Sequence, residues 1–247
     1  MPSLSNHGIG SAHRWLIPIA ALAWAAIAFP LPLDAQTVRP AVVEHQGRGR
    51  GSFDLVNETL FPLTVVLEPR GFQVDTNGTL IDLPFDTAKV KLRLSAMSFR
   101  IPPLATYTVH YEADAEQLPA WFMVLSSMTG ARTNTGINVR IELPHVVYLL
   151  QKEPLKKEAV SVRAFDFDSA AGRAVLDVEN TSAALGRVIG SELSVGGRNA
   201  MQFGGFPLFP LQRRRIEVPW KGQDSPDKVL LRFSNFTVEE RRRAPGT

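Results

Sequence analysis

The chain has no cysteine in 247 residues. That absence excludes disulfide frameworks, cysteine-ligated zinc, iron–sulfur clusters and thiol nucleophiles. Charge of one sign is also scarce, because Lys and Arg exceed Asp and Glu by only three. A net charge of +3 is too mild to indicate a nucleic-acid partner by itself. Histidine is rare at five residues, and only His45, His110 and His145 follow position 36. None has a partner at metal-ligand spacing. The sequence holds no His-Glu-x-x-His, no Gly-x-Ser-x-Gly elbow and no phosphate-binding Gly-x-x-x-x-Gly-Lys-Ser/Thr loop. No nucleophile, base and orienting group assemble, so a non-enzyme without cofactor or metal is expected.

What is present begins with an apolar run. Trp15 to Phe29 is interrupted only by Pro18 and follows His13-Arg14. A basic residue, a short apolar core and small residues afterwards describe a secretory signal. The run is shorter than the ~20 residues a membrane span needs. Residues 1–36 are therefore expected to be removed after Ala28 or, preferably, Ala35. The mature part would lie outside the cytoplasm, with no stable membrane insertion. Without cysteine it must hold together by core packing alone.

Beyond position 36 the hydrophobic period is two. Ser52-Phe53-Asp54-Leu55-Val56, Lys89 to Leu94, Ile137 to Leu143, Val160 to Arg163 and Ala174 to Val178 alternate, and Ile216-Glu217-Val218 and Val229 to Phe233 look alike. Each reads as a strand with one buried and one wet face. Turn signals separate them: Asn57-Glu58-Thr59, Asn77-Gly78, Pro102-Pro103, Asn180-Thr181-Ser182 and Gly196-Gly197. No long helical stripe competes. Many short strands with regular turns predict an all-β chain of immunoglobulin-like sandwiches. The charged, proline-containing Gln151 to Lys157 divides it into 37–151 and 152–247.

Several segments have bland readings. Gly47-Arg48-Gly49-Arg50-Gly51 reads as a flexible hairpin loop rather than an anion-binding nest. Phe165-Asp166-Phe167-Asp168 reads as a strand with its aromatic rings inward and its carboxylates in water. Arg213-Arg214-Arg215 reads as an exposed turn, and Glu239 to Arg243 as a frayed, solvated end. The Asn-x-Ser/Thr sequences at Asn57, Asn77, Asn180 and Asn235 read as turn chemistry.

Thr135 to Leu150 is the most informative stretch. Ile137, Val139, Ile141 and Leu143 share one face, and Asn138, Arg140 and Glu142 share the other. Pro144 then interrupts, and a proline cannot donate to a ladder, so this strand is not central throughout. Either it is paired within its own sandwich, or it is an edge lent to another chain.

Read in order, these segments resemble the PapD-like periplasmic chaperones of chaperone–usher pilus assembly. The resemblance rests on Thr37 to Val43, on Ser52 to Thr59 and on Phe99-Arg100-Ile101-Pro102-Pro103. It continues through Leu118-Pro119-Ala120-Trp121-Phe122, the 137–148 strand, Val175 to Ser182 and Phe206-Pro207-Leu208-Phe209-Pro210. It implies two immunoglobulin-like β-sandwich domains in a boomerang, in the periplasm. It implies pilin-like subunits and an outer-membrane usher as partners, with no nucleic acid. By donor-strand complementation, Ile137, Val139, Ile141 and Leu143 would fill a subunit's open groove. Pairing of that edge with a second copy is the competing occupancy. The family's two basic anchors for the subunit carboxylate map to Arg39 and, in place of a lysine, His145. Neutral imidazole is the weaker anchor at pH 7. Asp114-Ala115-Glu116-Gln117 replaces the family's Asp-Arg-Glu-Ser, so the chain resembles a divergent member. A secreted immunoglobulin-like binding or adhesion module without chaperone activity is the alternative.

Overall fold

The computed structural model describes residues 36–132, 138–222 and 224–242. The expected signal segment, up to Ala35, lies outside them, as does Ile137. Among its described residues the first half carries ten strands: β1 (Thr37–Arg39), β2 (Val42–Gln46), β3 (Gly49–Val56), β4 (Leu63–Val74), β5 (Leu80–Pro84), β6 (Val90–Leu94), β7 (Ser98–Ile101), β8 (Thr106–Ala115), β9 (Ala120–Arg132) and β10 (Asn138–Leu150). One sheet has the order β1-β3-β8-β6. The other runs β2-β10-β9-β4-β5, with β7 added on β4. The chain changes sheets at Pro40, between β1 and β2. The inward residues of both sheets meet in one core, with Phe53, Leu55, Leu63, Val65, Tyr111 and Phe122 nearly inaccessible.

Among its described residues the second half carries one 3-10 turn, Lys157–Ala159, and nine strands: β11 (Val160–Asp168), β12 (Arg173–Asn180), β13 (Gly186–Val188), β14 (Gly190–Val195), β15 (Arg198–Phe203), β16 (Phe206–Leu208), β17 (Arg213–Pro219), β18 (Lys228–Arg232) and β19 (Thr237–Arg241). They form the sheets β11-β12-β17 and β15-β14-β18-β19 and the pair β13-β16. Leu176, Val178, Leu193, Leu208, Val229 and Leu231 fill the second core. The chain is all-β, with an immunoglobulin-like sandwich in each half. No described strand of one half pairs with a strand of the other. The described residues nevertheless belong to one compact unit. A third apolar cluster of Phe72, Met123, Tyr148, Leu185 and Phe209 joins residues of both halves. Trp121 Nε1 donates to Phe72 O at 2.8 Å beside it.

The two turn asparagines have the same internal design. Asn57 Nδ2 donates to the carbonyls of Phe61, Ile101 and Pro102, and its Oδ1 accepts from the amide and hydroxyl of Thr59. Asn180 Nδ2 donates to the carbonyls of Ala184, Leu208 and Phe209, and its Oδ1 accepts from the amide and hydroxyl of Ser182. Both are fully buried. The Asn-x-Ser/Thr pattern at these positions is therefore turn chemistry, as the sequence reading has it: a primary amide can satisfy several converging backbone groups at once.

Three bland readings need correction. Gly49 to Gly51 of the Gly/Arg run is the start of strand β3, not loop. A Cβ on Gly49 would lie 2.9 Å from the His45 ring, and one on Gly51 would lie 2.8 Å from the Tyr111 hydroxyl. The glycines keep the inner face empty for those two rings, while Arg48 and Arg50 pair outward with Asp114 and Glu112, each at 2.6 Å. Gly51→Val should cost about 2–3 kcal/mol by overpacking against Tyr111, measured as a shift of the urea midpoint. Arg213 to Arg215 is not an exposed turn but the start of β17, with Arg214 half-buried. Glu239 to Arg241 is not frayed: it belongs to β19, which pairs with β18 and buries Val238. The missing information was the strand partner, which a local charge run does not reveal.

Candidate functional site

β10 pairs with β9 from Asn138 to Leu149, with one irregularity at Arg140, but β2 pairs only with its last residues, Val146 to Leu150. On the outer side of Asn138 to His145 no described strand follows. The side on which this edge is open can be read from its bonds. Val146 N–H donates to Ala41 O at 2.8 Å, and Leu150 O accepts from Gly47 N–H at 2.9 Å. Along a strand, alternate residues direct their amide and carbonyl to the same side. Arg140, Glu142 and Pro144 therefore direct theirs outward, into the open side. Pro144 falls where its missing N–H forfeits no bond, which is why the strand passes through it unbroken.

Val139, Ile141 and Leu143 lie on the other alternation, all half-buried between exposed Arg140, Glu142 and Pro144. Leu143 packs against the first core, whereas Val139 and Ile141 extend that apolar row along the open edge. The row is accessible because β2 starts too late to cover it. On the wet face Arg140 pairs with Glu142 at 2.6 Å and donates to Ser127 Oγ at 3.1 Å. Gly130 (φ +105) sits at the irregularity where β9 has one residue more than β10 between Met128 and Ala131. Its Cβ would meet Pro62 O at 2.8 Å, so only glycine fits this bend.

Arg39 precedes the sheet crossing at Pro40 and His145 bonds the Pro40 carbonyl, but the two offer unlike chemistry. Arg39 is exposed and lies opposite Asp54 in the β1–β3 register. Among the described residues it has no ion-pair partner. His145 is fully buried. Its Nδ1 lies 2.7 Å from Pro40 O, and a carbonyl only accepts, so Nδ1 carries the proton. The ring stacks on Phe53 with centroids 4.3 Å apart. Its Nε2 has no partner. Burial pushes the His145 pKa down to about 4, so the ring is neutral at pH 7. It has no exposed cation to present to a carboxylate. It instead holds the β1–β2 crossing onto β10.

Sequence reasoning passed over the rest of that crossing. His45 Nε2 and the Tyr111 hydroxyl are 2.7 Å apart, and Tyr111 lies 5.4 Å from the His145 ring. Burial raises the Tyr111 pKa to about 12 and lowers that of His45. The one available signal was the glycine pair at i and i+2 within a strand pattern, which marks a close approach by a neighbour.

No protein-family model matches the sequence, and no curated protein matches it. Solved structures do match in fold. A complex of the Salmonella enterica SafA pilin with the SafB chaperone matches with a TM-score of 0.52 at 11% identity, over 85% of this chain and 97% of that one. The fold is that of the pilus chaperones. A second match is the CsuC–CsuE chaperone–tip subunit pre-assembly complex from the archaic chaperone–usher Csu pili of Acinetobacter baumannii. Its TM-score is 0.51 at 10% identity, over 83% and 97% of the two chains. The YadV chaperone matches at 0.50 and 14% identity, over 85% and 99%. In each match the pilus-chaperone fold spans nearly the whole of the solved chain, so both sandwiches of this protein are included.

Proposed function

We propose that this protein is a periplasmic assembly chaperone for pilus or fimbrial subunits, with 37–151 and 152–247 as its two domains. It lends the open part of β10 to an incomplete subunit and later yields that subunit to an outer-membrane usher. The observation that supports this most is the half-covered strand: outward backbone groups on Arg140, Glu142 and Pro144 beside an accessible row of Val139, Ile141 and Leu143. An extended partner strand would gain ladder hydrogen bonds from the first set and apolar pockets from the second. Burying each apolar side chain would contribute roughly 1.5–3 kcal/mol before ordering costs. Ile137, on the same alternation, would extend the row. Arg39, an exposed cation one residue before the Pro40 carbonyl that His145 bonds, would receive a subunit carboxylate, and His145 would act through the crossing rather than as an anchor.

The test is capture of a subunit from a periplasmic extract of the protein's own host, with high-salt washing and mass spectrometry. A stoichiometric small β-rich subunit is expected. Ile141→Asp should lower capture about 100-fold or more by placing a charge in an apolar pocket, while Glu142→Ala leaves it near wild type. On capture, hydrogen exchange at the Arg140 and Glu142 amides should slow. Unchanged capture by a folded Ile141→Asp protein would overturn the donor-edge reading.

A further inference from the structure

A second open edge lies in the other sandwich, on β17. The sheet order β11-β12-β17 leaves β17 without an outer neighbour among the described strands. Beside it runs a groove of about 530 Å³. Its walls are residues 214–219 of β17, the stretch 203–206 opposite, and Asn77. Consecutive residues of one strand can line a cavity together only along that strand's edge, since a face would offer alternate ones. The ladder direction agrees. Gln212 O accepts from Asn180 N–H at 2.9 Å, so its alternation faces β12. Arg215 N–H points the other way and donates to Thr76 O at 2.6 Å. The turn between β4 and β5 thus supplies a first rung on the outer edge. Beyond it the N–H and C=O of Glu217 and the C=O of Pro219 are directed into the groove, and no described strand continues the ladder. Pro219 sits on this outer alternation, where its missing N–H leaves the β12 ladder whole.

One end of the groove is cationic. Arg213 pairs with Asp177 at 3.1 Å and Arg215 with Glu217 at 3.2 Å. Arg214 between them has no ion-pair partner among the described residues. Its guanidinium lies 5.8 Å from the Phe206 ring centre. Its Nε and Nη1 are buried without a hydrogen-bond partner. Water is excluded from one side of a cation that Asp75 influences only from beyond ion-pair distance, so a ligand oxygen reaching it would gain more than at an exposed site. Phe203, Ile216 and Val218 supply apolar wall between this end and Pro219.

We propose that this groove binds an extended peptide segment of another protein by strand addition along β17, with a carboxylate of that segment received by Arg214. The rung already made by Thr76 shows the edge competent to pair, and Arg214, with two nitrogens unsatisfied and no carboxylate at ion-pair distance among the described residues, selects an acid-bearing segment. This inference does not rest on the donor-edge reading of β10.

The test is an ¹⁵N NMR titration of the protein spanning residue 36 to the C-terminus with the probe acetyl-Thr-Val-Thr-Val-Asp. Shifts are expected at 215–219 and 203–206. Binding should weaken at least tenfold for the probe ending in asparagine amide, and tenfold for a probe N-methylated at its ladder-facing amides. Arg214→Gln should weaken it by a similar factor. Glu217→Pro, which removes the outward N–H together with the carboxylate paired to Arg173 and Arg215, is the second variant should Arg214→Gln fail to fold, with Glu217→Ala as the control for the lost pairs. Equal binding of acid and amide probes, or acetate alone binding as tightly as the peptide, would overturn the proposal. So would shifts confined to β10, or self-association through β17 at rising protein concentration.

Discussion

Asn57→Ala should lower the unfolding free energy by about 3–5 kcal/mol, and Asn180→Ala by a similar amount. Each substitution strips three backbone carbonyls of their donor and removes the acceptor of a neighbouring Ser or Thr. A buried acceptor left unpaired costs about 1–3 kcal/mol, and water reaches some of the three in the relaxed variant. Asn57→Asp should be at least as damaging, because a carboxylate keeps the Thr59 acceptor but donates nothing and faces three carbonyl dipoles. Urea unfolding at pH 7 measures both. Losses under 1 kcal/mol would mean that these carbonyls find other partners and that the shared design is incidental.

Acid should weaken the protein through His145. Its folded pKa of about 4 lies below the unfolded value of 6.5. The unfolded chain therefore binds this proton first as pH falls. The stability owed to the neutral ring is whole above about pH 6.5. It declines through the window down to about pH 4 and is lost below it. The full shift corresponds to about 3 kcal/mol, of which about 2–3 appears between pH 7 and 4.5. His145→Leu should flatten that part of the pH profile while giving up the bond to Pro40. The comparison is the difference between the urea midpoints at pH 7 and 4.5 in the two proteins. Equal differences would show that the buried imidazole is not the titrating group. Because the ring holds the β1–β2 crossing against β10, exchange at Val146 N–H should rise first on acidification.

Alternation along the chain was enough to determine the architecture. Period-two runs such as Ala174 to Val178 and Ile216 to Val218 became strands because each presents one apolar face, and burying that face dominates local preference. Pro144 marked β10 as an edge, because a missing donor is tolerated only where no ladder bond is needed. Asn57 and Asn180 were legible as turns from composition alone. Tertiary structure decided what depends on a neighbour distant in the chain. β2 starts opposite Val146 and not earlier, and that single register leaves Val139 and Ile141 accessible. His145 became a buried neutral group rather than a cation because Phe53, Tyr111 and Pro40 close around it. Arg213 to Arg215 became a strand with one cation outside any close ion pair because Asp177 and Glu217 reach only two of the three. A side chain's type sets what chemistry it can perform; its solvent and its counter-charge, both supplied by residues far off in sequence, set whether it does.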